Sequence, residues 1–235
     1  MQYMGGKARI ARRIVDAILS DTDFRDTWWE PFVGGGNVME HAAPHFRNLI
    51  GCDAHPDLIL MWQYVTSGGD LPSIVTREMY AELRKLPPSP VRGFVGFGAS
   101  FGGKWFGGYG VSPRDGELWK QSLRAVQRQA KVFQAAGVDF RNNAFGAETP
   151  PAGSVIYCDP PYVGTTGYST GSFDYQVFYQ TLGEWAHDSC VYVSEYSIPE
   201  WVVAKEIWSR PKRNVLEKGD NARFAIERLF RILPR

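Results

Sequence analysis

The chain has 235 residues, with 26 Lys and Arg against 25 Asp and Glu, a net charge of +1, 44% hydrophobic residues and 22% charged ones. That composition describes one or two globular domains and excludes disordered, collagen-like and coiled-coil chains. A charge this near zero speaks against a polycation that coats nucleic acid with its whole surface, and no stretch nears the roughly 18–20 apolar residues that span a bilayer.

The first 20 residues carry Lys7, Arg9, Arg12, Arg13 and Asp16 with no apolar block, so no signal peptide is expected. Residues 7–19 place Ile10, Ile14, Ala17 and Ile18 at helical spacing. Residues 27–33 (TWWEPFV) read as a buried strand running into Gly34-Gly35-Gly36, with Asn37 as N-cap of a short helix to about His45. A second strand, 48–52, ends at Asp53, and a helix follows from Pro56 to about Thr66.

The character then changes. Residues 67–73 form a linker, 87–90 (PPSP) break the helix before them, and 93–110 hold eight glycines among aromatic residues. A helical pattern resumes over 115–136. After Gly137, strands are expected at 138–142, 154–158 and 190–194, with helices at about 174–187 and 199–208. Two last strands, 212–217 and 225–232, flank the hairpin signal Lys218–Ala222. Strands alternating with helices predict an α/β fold, an open and mostly parallel sheet covered on both faces, to which the terminal hairpin adds an antiparallel edge strand. The expected division is 1–66 and 137–235 as one sheet domain, with 67–136 inserted into it.

Three clusters carry candidate chemistry. In Tyr157-Cys158-Asp159-Pro160-Pro161-Tyr162 an apolar strand delivers a carboxylate, two prolines and a ring to its C-terminal end. Ligands bind at that edge of open α/β sheets. The prolines fix the backbone and donate nothing. Asp159 and the Pro160 carbonyl then suit the two protons of an amine on a planar substrate, with Tyr162 stacking on its ring. A strand-to-turn junction capped by Asp159 is the alternative. In Glu30-Pro31-Phe32-Val33-Gly34-Gly35-Gly36-Asn37 a strand turns through glycines into a helix, as in nucleotide-binding folds. It lacks the full Gly-x-Gly-x-x-Gly pattern of dinucleotide enzymes. Asp53, ending the next strand, is placed for ribose hydroxyls. Third, Tyr3-Met4-Gly5-Gly6-Lys7 sets an aromatic and a lysine around two glycines before a helix; a solvated start is the alternative.

Together, and in this order, these motifs resemble the Dam-like (D12 class) adenine-N6 DNA methyltransferase family. The matching residues are Tyr3–Lys7, Glu30–Asn37, Asp53, Asp159–Tyr162 and the tail from about Asn214 to Leu233. The resemblance implies a Rossmann-like methyltransferase sheet with an inserted target-recognition domain. It implies S-adenosyl-L-methionine as cofactor, contacted by Tyr3, Lys7, Glu30, Pro31, Phe32, Gly34, Gly36, Asp53 and Asp159. It makes Asp159, Pro160, Pro161 and Tyr162 the catalytic shelf, acting on an adenine flipped out of double-stranded DNA. It implies a cytoplasmic setting in a prokaryotic or phage-infected cell. Restriction protection, mismatch-repair marking and phage defence evasion all remain open roles. Tyr3 departs from the family, which often has Trp there, and the compact glycine-rich middle departs too, which leaves the target sequence open.

The middle segment bears on the partner. Residues 74–131 hold ten Lys and Arg against four acids, a local charge of +6, whereas 1–73 carry −3 and 132–235 carry −2. The neutral total therefore conceals a basic stretch interleaved with aromatics, which fits contacts to phosphates and bases. Arg92, Lys104, Trp105 and Tyr109 are the candidate DNA contacts, and a solvated helix face over 120–131 is the alternative. Thr165–Ser172 suits a closing loop or an inert one. The three cysteines read as buried free thiols, as in a reducing cytoplasm. No metal is expected, since His41 and His45 have no motif nearby to complete a site. A monomer is the favoured state. Transfer to RNA adenine or to a protein glutamine amide, or a non-catalytic DNA-binding relative, are the competing readings.

Overall fold

Residues 1–112, 116–161, 173–213 and 224–234 are described by the structure, a computed structural model; of residues 212, 213, 224 and 225 it describes the backbone. In chain order the elements are α1 (Ala11–Asp21), β1 (Thr27–Glu30), α2 (Asn37–Ala42), β2 (Asn48–Asp53), α3 (Pro56–Thr66), α4 (Arg77–Leu83) and α5 (Pro90–Gly98). There follow β3 (Val111–Ser112), β4 (Gly116–Glu117), α6 (Leu118–Ala136), β5 (Asp139–Asn142) and β6 (Ser154–Cys158). The last are α7 (Tyr175–Trp185), β7 (Cys190–Glu195), β8 (Ala204–Arg213) and β9 (Phe224–Ile232).

Among the described residues, seven strands form one sheet in the order β5-β2-β1-β6-β7-β9-β8. From β5 to β7 every pair is parallel; β9 runs antiparallel to both β7 and β8. The expected α/β architecture is therefore present, and the final strand lies inside the terminal pair with β8 at the edge. β1 leads outward to β2 and β5, and the chain then returns to β6 beside β1. The direction of winding thus reverses between β1 and β6, which creates a crevice at their carboxyl ends.

Period-two alternation assigns each strand residue to a layer. Trp28, Leu49, Val155, Tyr157, Tyr192 and Leu229 share one core with α1, α2, α3, α5 and α6. Their neighbours Trp29, Ile50, Ile156, Cys158, Val191 and Val193 share the other with α7. Both tryptophans of Trp28-Trp29 are buried, one in each layer. The three cysteines are buried and free.

The segment 67–136 sends its side chains into the first of these cores: Phe94, Phe97, Val126 and Phe133 join Trp62 and Met61 of α3. The glycine-rich stretch is not irregular throughout, since α5 runs through its first half. Ser89 caps α5 by accepting from the Arg92 amide at 3.2 Å, and Pro90 occupies its first turn. What reads as a helix breaker is thus also a helix start. Gly93 is what lets α5 approach α3, because a Cβ there would lie 2.1 Å from the Asp57 carbonyl oxygen. Beyond α5, Ser100 and Tyr109 form an antiparallel bridge that closes a loop.

Residues 199–208 are expected to be helical, and the structure corrects this: β8 begins at Ala204 and pairs with β9 from Ala204↔Ile232 to Arg213↔Phe224, with an irregularity at Glu206/Trp208. The helix-favouring Ala-Lys-Glu start yields to the ladder with β9 and to packing of the half-buried Ile207 and Trp208 against the core. Of the expected strand 212–217, residues 212 and 213 end β8; the rest, with Lys218–Ala222, lies outside the described residues. Asn37 is the first residue of α2 rather than its cap; Gly36 holds that position with φ +67°.

Candidate active site

At the crevice between the carboxyl ends of β1 and β6 lies a cavity of about 310 Å³. That is the lower end of the roughly 300–1,000 Å³ usual for small-molecule sites. Its walls include Tyr3, Lys7, Glu30, Pro31, Phe32, Gly34, Asp53, Asp159 and Pro161, which come from four separate stretches of sequence. Three carboxylates converge because three parallel strands end side by side: Glu30 closes β1, Asp53 closes β2, and Asp159 follows β6.

The loop after β1 is pinned from several sides. Val33 donates its amide to the Cys52 carbonyl at 2.8 Å, and Gly34 donates its amide to Asp53 Oδ2 at 3.0 Å. Trp62 Nε1 donates to the Gly34 carbonyl at 3.0 Å. Gly36 sits behind the wall and not on it. Its positive φ and the Phe133 ring, 2.9 Å from where a Cβ would stand, both require glycine. Asp53 also accepts from the His55 amide at 2.9 Å. Burial pushes the Asp53 carboxyl up to about 6 despite these two amide bonds, which pull it down. Burial likewise holds Glu30 well above the usual carboxylate range, only partly offset by the bond it accepts from Trp28 Nε1 at 3.1 Å.

Lys7 is enclosed, its side chain 4% exposed. Its Nζ lies 2.6 Å from Asp159 Oδ1 and 3.3 Å from Glu227 Oε1. Burial disfavours the ammonium, but the two carboxylates outweigh it and hold the pKa above that of a free lysine. The lysine expected to serve the cofactor is thus bonded to the shelf carboxylate. Pro160 is buried beneath the shelf and does not line the cavity. Tyr162, and the proposed closing loop Thr165–Ser172, lie outside the described residues.

Part of the cavity lining is aromatic. Phe32 and Phe145 stack with ring centres 5.5 Å apart and planes at 12°. Phe173 and Phe178 pack edge-on to Phe32 at 5.8 and 6.0 Å. The sequence reading names only Phe32 of these. Phe145 follows β5 and Phe178 lies on α7, so only the fold brings them together. Asp174 caps α7 by accepting from Gln176 and Val177, at 2.9 and 3.0 Å, beside the same wall.

The expected DNA contacts divide. Arg92 is turned inward: Nη1 is 2.6 Å from Asp57 Oδ2, Nε donates to the Leu83 carbonyl at 3.0 Å, and the guanidinium lies over the Trp105 ring at 5.0 Å. Trp105 packs on His55, which lines the cavity, with centres 4.2 Å apart. The Tyr109 hydroxyl donates toward the Val75 carbonyl and Glu117 Oε1 at 2.7 and 2.9 Å. Lys104 is exposed. Phe101, one of the aromatics interleaved with the basic segment, stands three residues before it and is 72% exposed. Among the described residues no group of three or more His, Cys, Asp or Glu could hold a metal ion, and no helix is long and apolar enough to cross a membrane.

Comparison with the curated proteins gives no match. Sixty-two solved chains match in structure. One, the precorrin-6y C5,15-methyltransferase of Geobacter metallireducens GS-15, has a TM-score of 0.43 and 8% identity, over 97% of this chain and 87% of that one. Residues 3–89 match the family model of the D12 class N6 adenine-specific DNA methyltransferases, a stretch that contains Tyr3–Lys7, Glu30–Asn37 and Asp53, so the resemblance read from those motifs holds there.

Proposed function

We propose that this protein transfers a methyl group from S-adenosylmethionine to the N6 amine of adenine in double-stranded DNA. The observation that carries the reading is the meeting, in one cavity at the sheet's switch point, of Asp53, the Gly34 loop and the Lys7–Asp159 pair. The family match over residues 3–89 supports it. The cavity fits the cofactor: the buried Asp53 carboxylate suits ribose hydroxyls, the Phe32–Phe145 wall suits a flat base, and the Gly34 loop lets backbone approach closely.

When bound, S-adenosylmethionine supplies an electrophilic methyl group. The chain's own work is to prepare the amine. An adenine amine is a poor nucleophile because its lone pair is delocalised into the ring. Asp159 and the Pro160 carbonyl, accepting hydrogen bonds from its two N–H groups, favour the tetrahedral nitrogen that exposes that lone pair. Positioning and electrostatic complementarity then supply most of the acceleration. The amine is out of reach in a duplex, so the base is flipped out at a cost of a few kcal/mol. Tyr162 stacked on it would recover roughly 1–3 kcal/mol. The basic segment 74–131, with Lys104 exposed, is the proposed contact for the phosphates.

The test is transfer of a labelled methyl group to duplex DNA, RNA and protein side by side, with N6-methyladenine read by mass spectrometry. Asp159→Ala is expected to fold and to lose at least about 10²–10³ in rate. Wild-type turnover in that variant, or transfer to RNA or protein but not to DNA, would overturn the reading.

A further inference from the structure

Glu227 enters the site from a strand that the catalytic motifs do not include. β9 is antiparallel to β7, so its first residues lie at the same sheet edge where β1, β2 and β6 end. Leu229 faces the first core, and strand periodicity puts Glu227, two residues earlier, on that same inward face. The Glu227 side chain is 3% exposed, and its Oε1 is 3.3 Å from Lys7 Nζ. Lys7 lies in turn 2.6 Å from Asp159 Oδ1. A carboxylate, an ammonium and a second carboxylate thus stand in a row with little water around them.

The arrangement answers a physical difficulty. A lysine against Asp159 fixes the carboxylate's orientation but also neutralises it. A neutral pair stabilises poorly the positive charge that grows on an amine as it is methylated. A second carboxylate behind the lysine offsets part of the ammonium's charge, and at low effective dielectric that negative charge is felt at the amine. Three other described groups lie near the row. Glu30 on β1 and Tyr157 on β6 are both buried and held toward their neutral forms, and the Tyr157 hydroxyl shares a hydrogen bond with Ser194 at 2.8 Å. Asp53 on β2 is bonded to the Gly34 and His55 amides.

We propose that Glu227 is a positioning residue for methyl transfer, acting through Lys7 to orient Asp159 and to offset the ammonium's charge toward the reacting amine. This rests on the reading of Asp159 as a hydrogen-bond acceptor for the amine. Replacing Glu227 by Gln keeps the shape and a hydrogen-bonding group but removes the charge. It also removes one of the two carboxylates that raise Lys7, so Lys7 loses its proton at lower pH.

The experiment compares wild type, Glu227→Gln, Glu227→Asp and the Lys7→Met background, with thermal unfolding to establish that each is folded. Glu227→Gln is expected to lower kcat roughly 10- to 100-fold. Cofactor Kd should change little, and the alkaline limb of the kcat profile should move to lower pH. Glu227→Asp, which keeps the charge, should retain more rate than Gln. In Lys7→Met protein, adding Glu227→Gln should cost no further rate. An independent readout uses the protein alone: the pH dependence of Lys7 acylation by an amine-reactive probe, followed by mass spectrometry, should shift to lower pH in Glu227→Gln. Wild-type kcat with an unshifted acylation profile overturns the inference and leaves methyl transfer standing. If the wild type transfers no methyl group, the functional reading fails, and the acylation profile alone then decides whether Glu227 governs Lys7.

Discussion

Arg92 Nη1 lies 2.6 Å from Asp57 Oδ2, and this ion pair joins the first turn of α5 to the first turn of α3. Asp57 is 1% exposed, and its other oxygen accepts from the Ser89 amide at 2.9 Å, at the cap of α5. The pair therefore holds the crossing that Gly93 makes close. Truncating Arg92 would leave Asp57 buried without its cation, a change that costs about 3–5 kcal/mol in comparable sites. Arg92→Ala should lower the unfolding free energy by about that amount, read from the shift in denaturant midpoint. Arg92→Lys should recover only part of it, since an ammonium cannot reach Asp57 and the Leu83 carbonyl as the planar fork does. Denaturant titration at neutral pH checks both. A change in DNA affinity with unaltered stability would instead make Arg92 a phosphate contact.

Asp53 supplies a prediction in pH. Its pKa is raised by burial from 3.8 to about 6. A group raised on folding contributes stability that is fully present below its unfolded pKa and is lost as pH rises through the folded one. The window is therefore about pH 4 to 7, and the difference of two pKa units corresponds to about 3 kcal/mol. The stability of the wild type relative to Asp53→Asn should fall across that window. Cofactor affinity should run the other way: hydroxyl donors favour the ionised carboxylate, so affinity rises between pH 5 and 7. Thermal unfolding and calorimetric titration at matched pH values separate the two trends. A flat affinity profile would remove Asp53 from the ribose contact.

Much of this arrangement is legible from the chain because it is local. Pro56 at the first turn of α3, the apolar run Ser154–Cys158 and the Gly137 stop after α6 each mark an element whose bounds the structure reproduces closely. The carboxylates Asp53 and Asp159 are legible for the same reason, since each follows a buried strand. What escapes is non-local. β8 is a strand because β9 lies beside it, not because of its own residues. Glu227 belongs to the site because β9 is antiparallel; in the sequence it is one charge within the matching tail, two positions before the core-facing Leu229. Arg92 counts equally well as a surface cation or a buried one until Asp57, 35 residues away in sequence, is found beside it.

Phe145 tests the aromatic wall. It stacks on Phe32, packs on Phe178 at 4.9 Å and lines the cavity. Ring pairs of this kind contribute about 0.5–1.5 kcal/mol beyond area burial. Phe145→Ala should raise the cofactor Kd roughly 5- to 20-fold by loss of that surface. Phe145→Tyr should remain near wild type. The kcat at saturating cofactor should change less than Kd, because the ring holds a bound group and touches no reacting atom. An unchanged Kd by fluorescence titration would show that the planar group lies elsewhere.

Lys104 and Phe101 separate two kinds of DNA contact. The loop that bears them is seated on the N-terminal segment: Met4 donates its amide to the Gly103 carbonyl at 3.2 Å, and Tyr3, on the cavity wall, packs on Phe97 with ring centres 5.0 Å apart. A lysine and an aromatic ring, both exposed, therefore stand close to the cavity. If Lys104 neutralises one phosphate, Lys104→Ala should reduce the slope of log K against log salt by about 0.9 on duplex DNA. Phe101 carries no charge. Phe101→Ala should therefore weaken binding while leaving that slope unchanged, as expected for a ring placed against bases. Fluorescence anisotropy over a salt series measures both quantities at once. Equal slopes in wild type and Lys104→Ala would take the lysine out of the interface, whatever the change in affinity.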